Sequence, residues 1–400
     1  MKFVAAIIAA SLLLCSLSRA NDWPQWRGPN RDGISREKVS AQWPGDGPKM
    51  VWHALVATGF SAVSIADGRA YTMGNSNDQE IVWCLDALTG KSFWKHTYKS
   101  KLGAVYHDGG PVSTPTIQSN RVFTISKWGD VFCLDAANGA VIWEHDFRRD
   151  GVISNRWGFA GSPLLWGDLV ILNAGGAGSA LDRNTGDVVW LNGTKPTGYA
   201  SPTLFHSGAK ESVLIFAAKG LVAVEPGTGH ELWRFPWETG WDTNNPDPLI
   251  YRQQIFISSF SRGCALLAVQ NNQPEVVYDK KTLYNHLCSG IVLGEYLYAF
   301  NGEATKATDL RCIHLPTGEV QWRSKDPAFG SLICADGKLL ILSEKGELLM
   351  ADPSAAGFKP LARAQILSGL CWTPPVLANG LLYARNSRGD MVCLDLKAAP

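Results

Sequence analysis

The sequence predicts an all-β chain, an eight-bladed β-propeller of four-stranded antiparallel blades closed by an N-terminal strand. Three observations predict it. Aromatic residues recur at spacings of 36 to 49 residues: Trp52, Trp94, Trp143, Trp190, Trp233, Tyr278, Trp322 and Phe358. A period of that length marks stacked supersecondary units. Most copies close one fixed phrase, Asp86-Gly90-Trp94, Asp135-Gly139-Trp143 and Asp182-Gly186-Trp190, and Glu225-Gly229-Trp233 and His314-Gly318-Trp322 keep its spacing. Finally, the last copy stops after Val392-Cys393-Leu394-Asp395 with no fourth strand, while Met50-Val51-Trp52-His53-Ala54 stands spare ahead of the first unit. Pairing the two closes a ring and leaves no terminal sheet edge exposed.

Each unit reads as four short strands. In the second, Thr114-Pro115-Thr116-Ile117 is the innermost strand and Ser119-Asn120 a turn. Residues 121–126 alternate as the second strand, 131–134 form the third, and Val141-Ile142-Trp143 is the outermost. Apolar alternation over a few residues between Gly, Asn and Asp turns is the hairpin signature. The Gly of the phrase is expected at φ > 0 in the turn before the outer strand. The acidic residue is placed to accept N–H groups of that turn, and the Trp offers a flat face to the next blade.

Ahead of the ring, residues 1–20 read as a secretory leader: Lys2, an apolar run from Phe3 to Leu14, and Ser18-Arg19-Ala20 as a cleavage site. Cleavage near Ala20 would give an exported chain, periplasmic or secreted. Residues 21–48 are then an N-terminal arm and 49–396 the propeller. Two readings stand for the arm, packing on the ring or contributing to a ligand mouth. Losing Lys2 and Arg19 takes the formal charge from +1 to about −1, which gives no electrostatic case for nucleic acid or acidic membrane. No run after the leader reaches the ~20 apolar residues of a spanning helix. The expected state is a monomer.

Cys84, Cys133, Cys312 and Cys393 fall at one register of the repeat. Equivalent positions in different blades lie too far apart for a disulfide, so they read as small buried hydrophobes. The His residues form neither HxH nor HExxH, so no metal site is predicted. Asn173 to Gly178 is glycine-rich but lies between two strands and opens no helix, so it reads as a loop.

The repeated Asp-x3-Gly-x3-Trp phrase resembles the tryptophan-docking motif of the pyrroloquinoline-quinone (PQQ) dehydrogenase-like propellers. The stretch from Asp22-Trp23-Pro24-Gln25-Trp26-Arg27-Gly28 to Asp32-Gly33 looks like the start of exported PQQ-like repeat proteins. The resemblance covers roughly residues 22–396 and implies the fold. It leaves activity open, because the propeller serves both quinoprotein alcohol dehydrogenases, with PQQ and calcium in the channel, and an outer-membrane assembly lipoprotein that binds partners without a cofactor. This chain lacks the dehydrogenases' vicinal Cys–Cys pair and is shorter than they are. No catalytic residue carries over.

One positional set remains. At the start of each innermost strand stand Phe60, His107, Trp157, Tyr199, Trp241, His286, Phe329 and Trp372. These loops should ring one mouth of the channel, where loops between second and third strands add Trp128 and Glu303. Asp108, Arg156 and Asp242 are polar neighbours. Aromatic walls with a few convergent polar groups suit a ligand site, and the competing reading is a mere channel plug. The expected function is an exported binding or protein-interaction module with its ligand or partner at this mouth, the partner being a small molecule, a sugar or an exported protein. No cofactor is firmly predicted. The alternative is a PQQ-dependent dehydrogenase oxidising alcohols or sugars, with calcium.

Overall fold

The computed structural model describes residues 21–208, 210–303 and 308–397; the expected leader lies outside them. Eight sheets follow one another around a central channel. Blade 1 comprises strands Ser64–Ala66, Arg69–Ser76, Gln79–Asp86 and Ser92–Lys99. Blades 2 to 7 span residues 116–146, 164–191, 203–236, 249–280, 291–324 and 330–365. Blade 8 joins three strands within 376–395 to Met50–Leu55. The only helical element among the described residues is one short 3-10 turn, Gly240–Asp242.

Strand position decides burial. Middle strands such as Lys338–Ser343 are buried on both faces, while outer strands such as Met50–Leu55 and Ser92–Lys99 alternate and bury chiefly their Trp. The phrase explains how blades dock. Asp86 Oδ1 accepts the N–H groups of Leu88 and Thr89 at 2.9 and 2.8 Å, and Asp135 and Asp182 do the same in their turns. Gly90, Gly139, Gly186, Gly229 and Gly318 all have φ between 70° and 80°. Each also lies under the previous blade's aromatic. A Cβ on Gly139 would sit 2.5 Å from the Trp94 ring, and one on Gly186 2.6 Å from Trp143. The indole N–H then caps the same turn: Trp94 Nε1 donates to Ala136 O at 3.0 Å and Trp143 Nε1 to Arg183 O at 2.9 Å. Gly is therefore required twice, by its backbone angle and by its missing side chain.

Phe358 departs from the series. It precedes its outer strand, Pro360–Gln365, and turns its ring to Trp322 of blade 6 with centroids 5.9 Å apart. Trp322 itself donates to Ser354 O at 2.7 Å. Phe358 thus belongs to the receiving side of a contact.

Closure follows the expected pairing: Met50 opposes Leu394 and Trp52 opposes Cys393, antiparallel. Trp52 stacks on Gly90 and donates to Ala87 O at 3.0 Å, so blade 8 docks on blade 1 as any blade docks on its neighbour. Arg385 adds a polar lock. Fully buried, it donates to the carbonyls of Met73 at 2.7 Å and Ala57 at 2.8 Å, across the seam. Burial pulls its guanidinium down to about 9. The eight cysteines among the described residues are buried and unpaired.

The arm threads the channel. Trp23 bridges Ile65 of blade 1, Pro24 O accepts the N–H of Ile117 of blade 2, and Ile34–Ser35 pairs in parallel with Cys334 and Ala335 of blade 7. Arg27 donates to the carbonyls of Ser289 at 3.2 Å and Gly290 at 2.9 Å, and Arg31 to Pro163 O at 3.2 Å. The segment therefore touches inner strands on opposite sides of the ring and fills its centre.

Candidate functional site

A chain of side-chain-to-backbone bonds runs around the channel at the start of the inner strands. The N–H of Ala62 donates to Thr114 Oγ1, Thr114 N to Ser162 Oγ, Ser162 N to Ser201 Oγ, Ser201 N to Asp247 Oδ1, and Asp247 N to Ser289 Oγ, all within 2.7–3.1 Å. On the far side Ser331 Oγ donates to Thr373 O, and Thr373 Oγ1 to Phe60 O. At seven joints a blade satisfies its neighbour's backbone in this way, so the loops above stand on a fixed rim. Most of these residues precede Pro, as in Thr114-Pro115, Ser162-Pro163, Ser201-Pro202, Asp247-Pro248 and Thr373-Pro374. Pro cannot donate to a ladder, and it marks the point where the chain enters the inner strand.

Above this rim lies a cavity of about 640 Å³. Trp26 of the arm is part of its lining, held by Nε1 donating to Asp247 Oδ2 at 2.6 Å. The mouth is therefore blind, with the arm beneath it. Of the residues expected here, Phe60, His107, Arg156, Trp157, Tyr199, Trp241, His286, Glu303 and Trp372 line the cavity. The walls also carry ring contacts: Phe60 stacks on Trp372 with centroids 5.5 Å apart, meets His107 edge-on at 5.3 Å, and Trp157 meets Tyr199 at 6.0 Å.

Asp108, Trp128, Asp242 and Phe329 do not line it. Asp108 accepts a hydrogen bond from Ser387 Oγ. Trp128 turns outward and donates to Lys101 O at 2.7 Å. Asp242 pairs with Lys219 at 2.9 Å. Phe329 is buried against Phe300 of the preceding blade, blade 6. In each case a local partner or the packing between blades claims the side chain. Trp26, Tyr106, Phe260 and Asn245 line the cavity without having been singled out. Tyr106 stands one position before His107, and Phe260 sits in the loop between second and third strands, the class that supplied Trp128 and Glu303. The arm's route through the channel is written in no local pattern, although its opening motif was visible.

Three non-glycine residues of this rim adopt left-handed backbone angles, as others do in the arm and in hairpin turns. Tyr106, Trp241 and Asp242 have φ of 63°, 63° and 56°, each costing roughly 1–2 kcal/mol for a side chain bearing Cβ. Tyr106 and Trp241 are also 85% and 71% exposed, so no core packing compensates them. Strain of that kind is characteristic of functional sites. Between these two rings lies Arg156, its guanidinium 5.2 Å from Tyr106, 5.1 Å from Trp241 and 5.5 Å from Trp157.

The acid–base character of the wall is muted. Burial, aided by the nearby Lys127 cation, pulls His107 down to about 4, so the imidazole is neutral at physiological pH. Behind it, burial lowers Lys127 to about 8 and raises Glu80 to about 7. The Cys288 thiol donates to Trp372 O at 3.4 Å and is pushed up to about 12 by burial, far from a reactive thiolate. Calcium takes six to eight oxygen ligands. The cavity wall offers one carboxylate, Glu303, and no group of three or more His, Cys, Asp or Glu among the described residues could hold a metal ion. The residues present do not fit a calcium–quinone centre.

A family model described as outer membrane protein assembly factor BamB matches residues 77–324, more than half of the chain. The chain belongs to this BamB-like PQQ-repeat family. No curated protein sequence matches the chain. Among solved structures it is similar to BamB from Moraxella catarrhalis, 18% identical with a TM-score of 0.65, covering 87% of this chain and 99% of that one. It is also similar to a quinohemoprotein alcohol dehydrogenase from Comamonas testosteroni, 16% identical, TM-score 0.67, covering 95% and 81%. A europium-containing methanol dehydrogenase follows at 13% identity and TM-score 0.62, covering 93% and 89%. At these identities the likenesses speak to the fold. No helix among the described residues is long and apolar enough to cross a membrane.

Proposed function

We infer that this chain is an exported binding or interaction propeller that takes a small molecule or a partner's side chains in the aromatic-lined mouth. The carrying observation is the blind cavity of about 640 Å³ above Trp26, ringed by aromatics on a hydrogen-bonded rim. That volume falls in the range of pockets that enclose a drug-sized ligand. The apolar leader from Phe3 to Leu14 supports export, and the assembly factor among its relatives supports a partner-binding role outside the cytoplasm. The inert Cys288 and neutral His107 favour binding over covalent chemistry.

A photo-crosslinking amino acid placed at Val112 or Leu287 on the cavity wall, in cells exporting the chain, should trap a discrete adduct. The same residue at Asn379, in a turn of the opposite face, should not. Equal trapping at both would overturn the reading.

The second reading, a PQQ-dependent dehydrogenase, draws on the ring-lined cavity and the dehydrogenases among its structural relatives. The donor set described above weighs against it. Purified chain mixed with PQQ and calcium should show no new quinone absorbance and no alcohol-dependent reduction of an electron acceptor; the appearance of both would favour the dehydrogenase.

A further inference from the structure

Arg156 differs in its partners from Arg27, Arg31 and Arg262 around the channel. Arg27 and Arg31 have Asp247 close by, and Arg262 is paired with Asp279 at 2.5 Å. Among the described residues no carboxylate pairs with Arg156. Its neighbours are ring faces, those of Tyr106, Trp157 and Trp241, and one hydrogen bond from Nη2 to the Tyr106 hydroxyl at 3.2 Å. The loops that bring these rings come from between blades 1 and 2, 2 and 3, and 4 and 5, so the contact spans the mouth.

Stacking uses the two faces of a guanidinium. Recognition of a carboxylate uses its edge, where the N–H groups form a planar fork. The two are compatible, and the first prepares the second. Rings on either side hold the fork at a fixed angle, so little conformational freedom is lost when an oxyanion arrives. A cation over aromatic faces also keeps its charge without a protein counter-ion.

We propose that the mouth is a carboxylate receptor, in which Arg156 forks the carboxylate of a ligand whose ring lies in the aromatic cavity beside Trp157 and Tyr199. This rests on the reading of the mouth as a binding site and adds the class of ligand. Two sources share the chemistry, an aromatic acid and a uronic acid, and both are tested.

The experiment is a calorimetric titration of the exported, mature chain at low ionic strength with indole-3-acetate and galacturonate, each beside its neutral counterpart, indole-3-ethanol and galactose. At least one acid should bind tenfold or more tightly than its counterpart. Arg156→Gln should remove that difference and Arg156→Lys restore only part of it, since an ammonium lacks the fork. Preference for indole-3-acetate alone assigns an aromatic acid, and for galacturonate alone a uronic acid; both support the proposal. Equal binding of acids and neutral compounds, weakened by Trp157→Ala, would overturn the carboxylate assignment and keep the binding mouth. An acid preference that survives Arg156→Gln would also overturn it. No binding of any of the four would overturn the ligand class proposed here, while the crosslinking experiment decides the mouth separately.

Discussion

The indole N–H of Trp26 donates to Asp247 Oδ2 at 2.6 Å, joining two residues 221 positions apart. Through that bond the arm is tied to the start of blade 5. Asp247 serves the ring as well, accepting the N–H of Ser201 at 2.7 Å, and its charge offsets part of the burial of Arg27 and Arg31. One carboxylate thus holds the rim, offsets part of the plug's charge and fixes a ring in the cavity lining.

Asp247→Ala should destabilise the fold by about 3–5 kcal/mol, the cost of leaving buried cations without their partner. Asp247→Asn should cost less, because the amide can still accept from Trp26 and Ser201. Urea melts of both variants check this. A loss below about 1 kcal/mol for the Ala variant would mean that the arm's other hydrogen bonds and its packing hold it without this carboxylate.

Trp143→Ala should cost about 3–5 kcal/mol, as for other buried large-to-small changes. It should leave ligand affinity unchanged in the folded fraction. Gly139→Ala attacks the same kind of joint from the other side, since its Cβ would meet the Trp94 ring at 2.5 Å with φ at 76°. It should cost about 1–3 kcal/mol. Thermal melts at matched concentration test both.

Deleting Met50 to Leu55 removes the fourth strand of blade 8 and the seat of Trp52. The exposed edge of Asp390–Asp395 should drive aggregation. Size-exclusion chromatography and a melt together decide it: a monodisperse protein with an unchanged cooperative transition would contradict the closure.

His107 carries a pH dependence of definite sign. Its folded pKa, about 4, lies below the ordinary 6.5. Between those values the unfolded chain binds the extra proton, so stability is full above about 6.5 and falls as pH drops toward 4. Glu80, raised to about 7, works in the opposite direction, losing stability as pH rises toward 7. Lys127 and Asp108 also face His107. The difference between the parent chain and His107→Asn isolates the histidine, and the parent should lose more stability than the variant between pH 6.5 and 4.5. Parallel curves would show that the imidazole is not held neutral.

Repetition decided what the sequence could show. The docking phrase is local, and its spacing gave the number of blades, the seam between residues 50–55 and 390–395, and the face where the loops converge. Positions such as Trp157 and Trp372 were reachable because they share one register. Asp108 and Asp242 were drawn away by single partners, Ser387 and Lys219, which no spacing encodes. Trp26 was hidden for the opposite reason. The arm stands outside the repeat, and its destination depends on a hydrogen bond across more than half the chain. The Pro that follows most rim hydroxyls was a usable signal for the inter-blade bonds.

The most direct test of the binding mouth compares affinities for the molecule trapped from the cavity wall. Trp157→Ala and Trp241→Ala should each weaken binding by about 2 kcal/mol or more, near thirtyfold, as for aromatic hot spots. Asp336→Ala and Asn379→Ala, in the turns of the opposite face, should leave it within twofold. Turn-face variants that weaken binding as much as the mouth variants, or mouth variants that bind like the parent, would contradict the account.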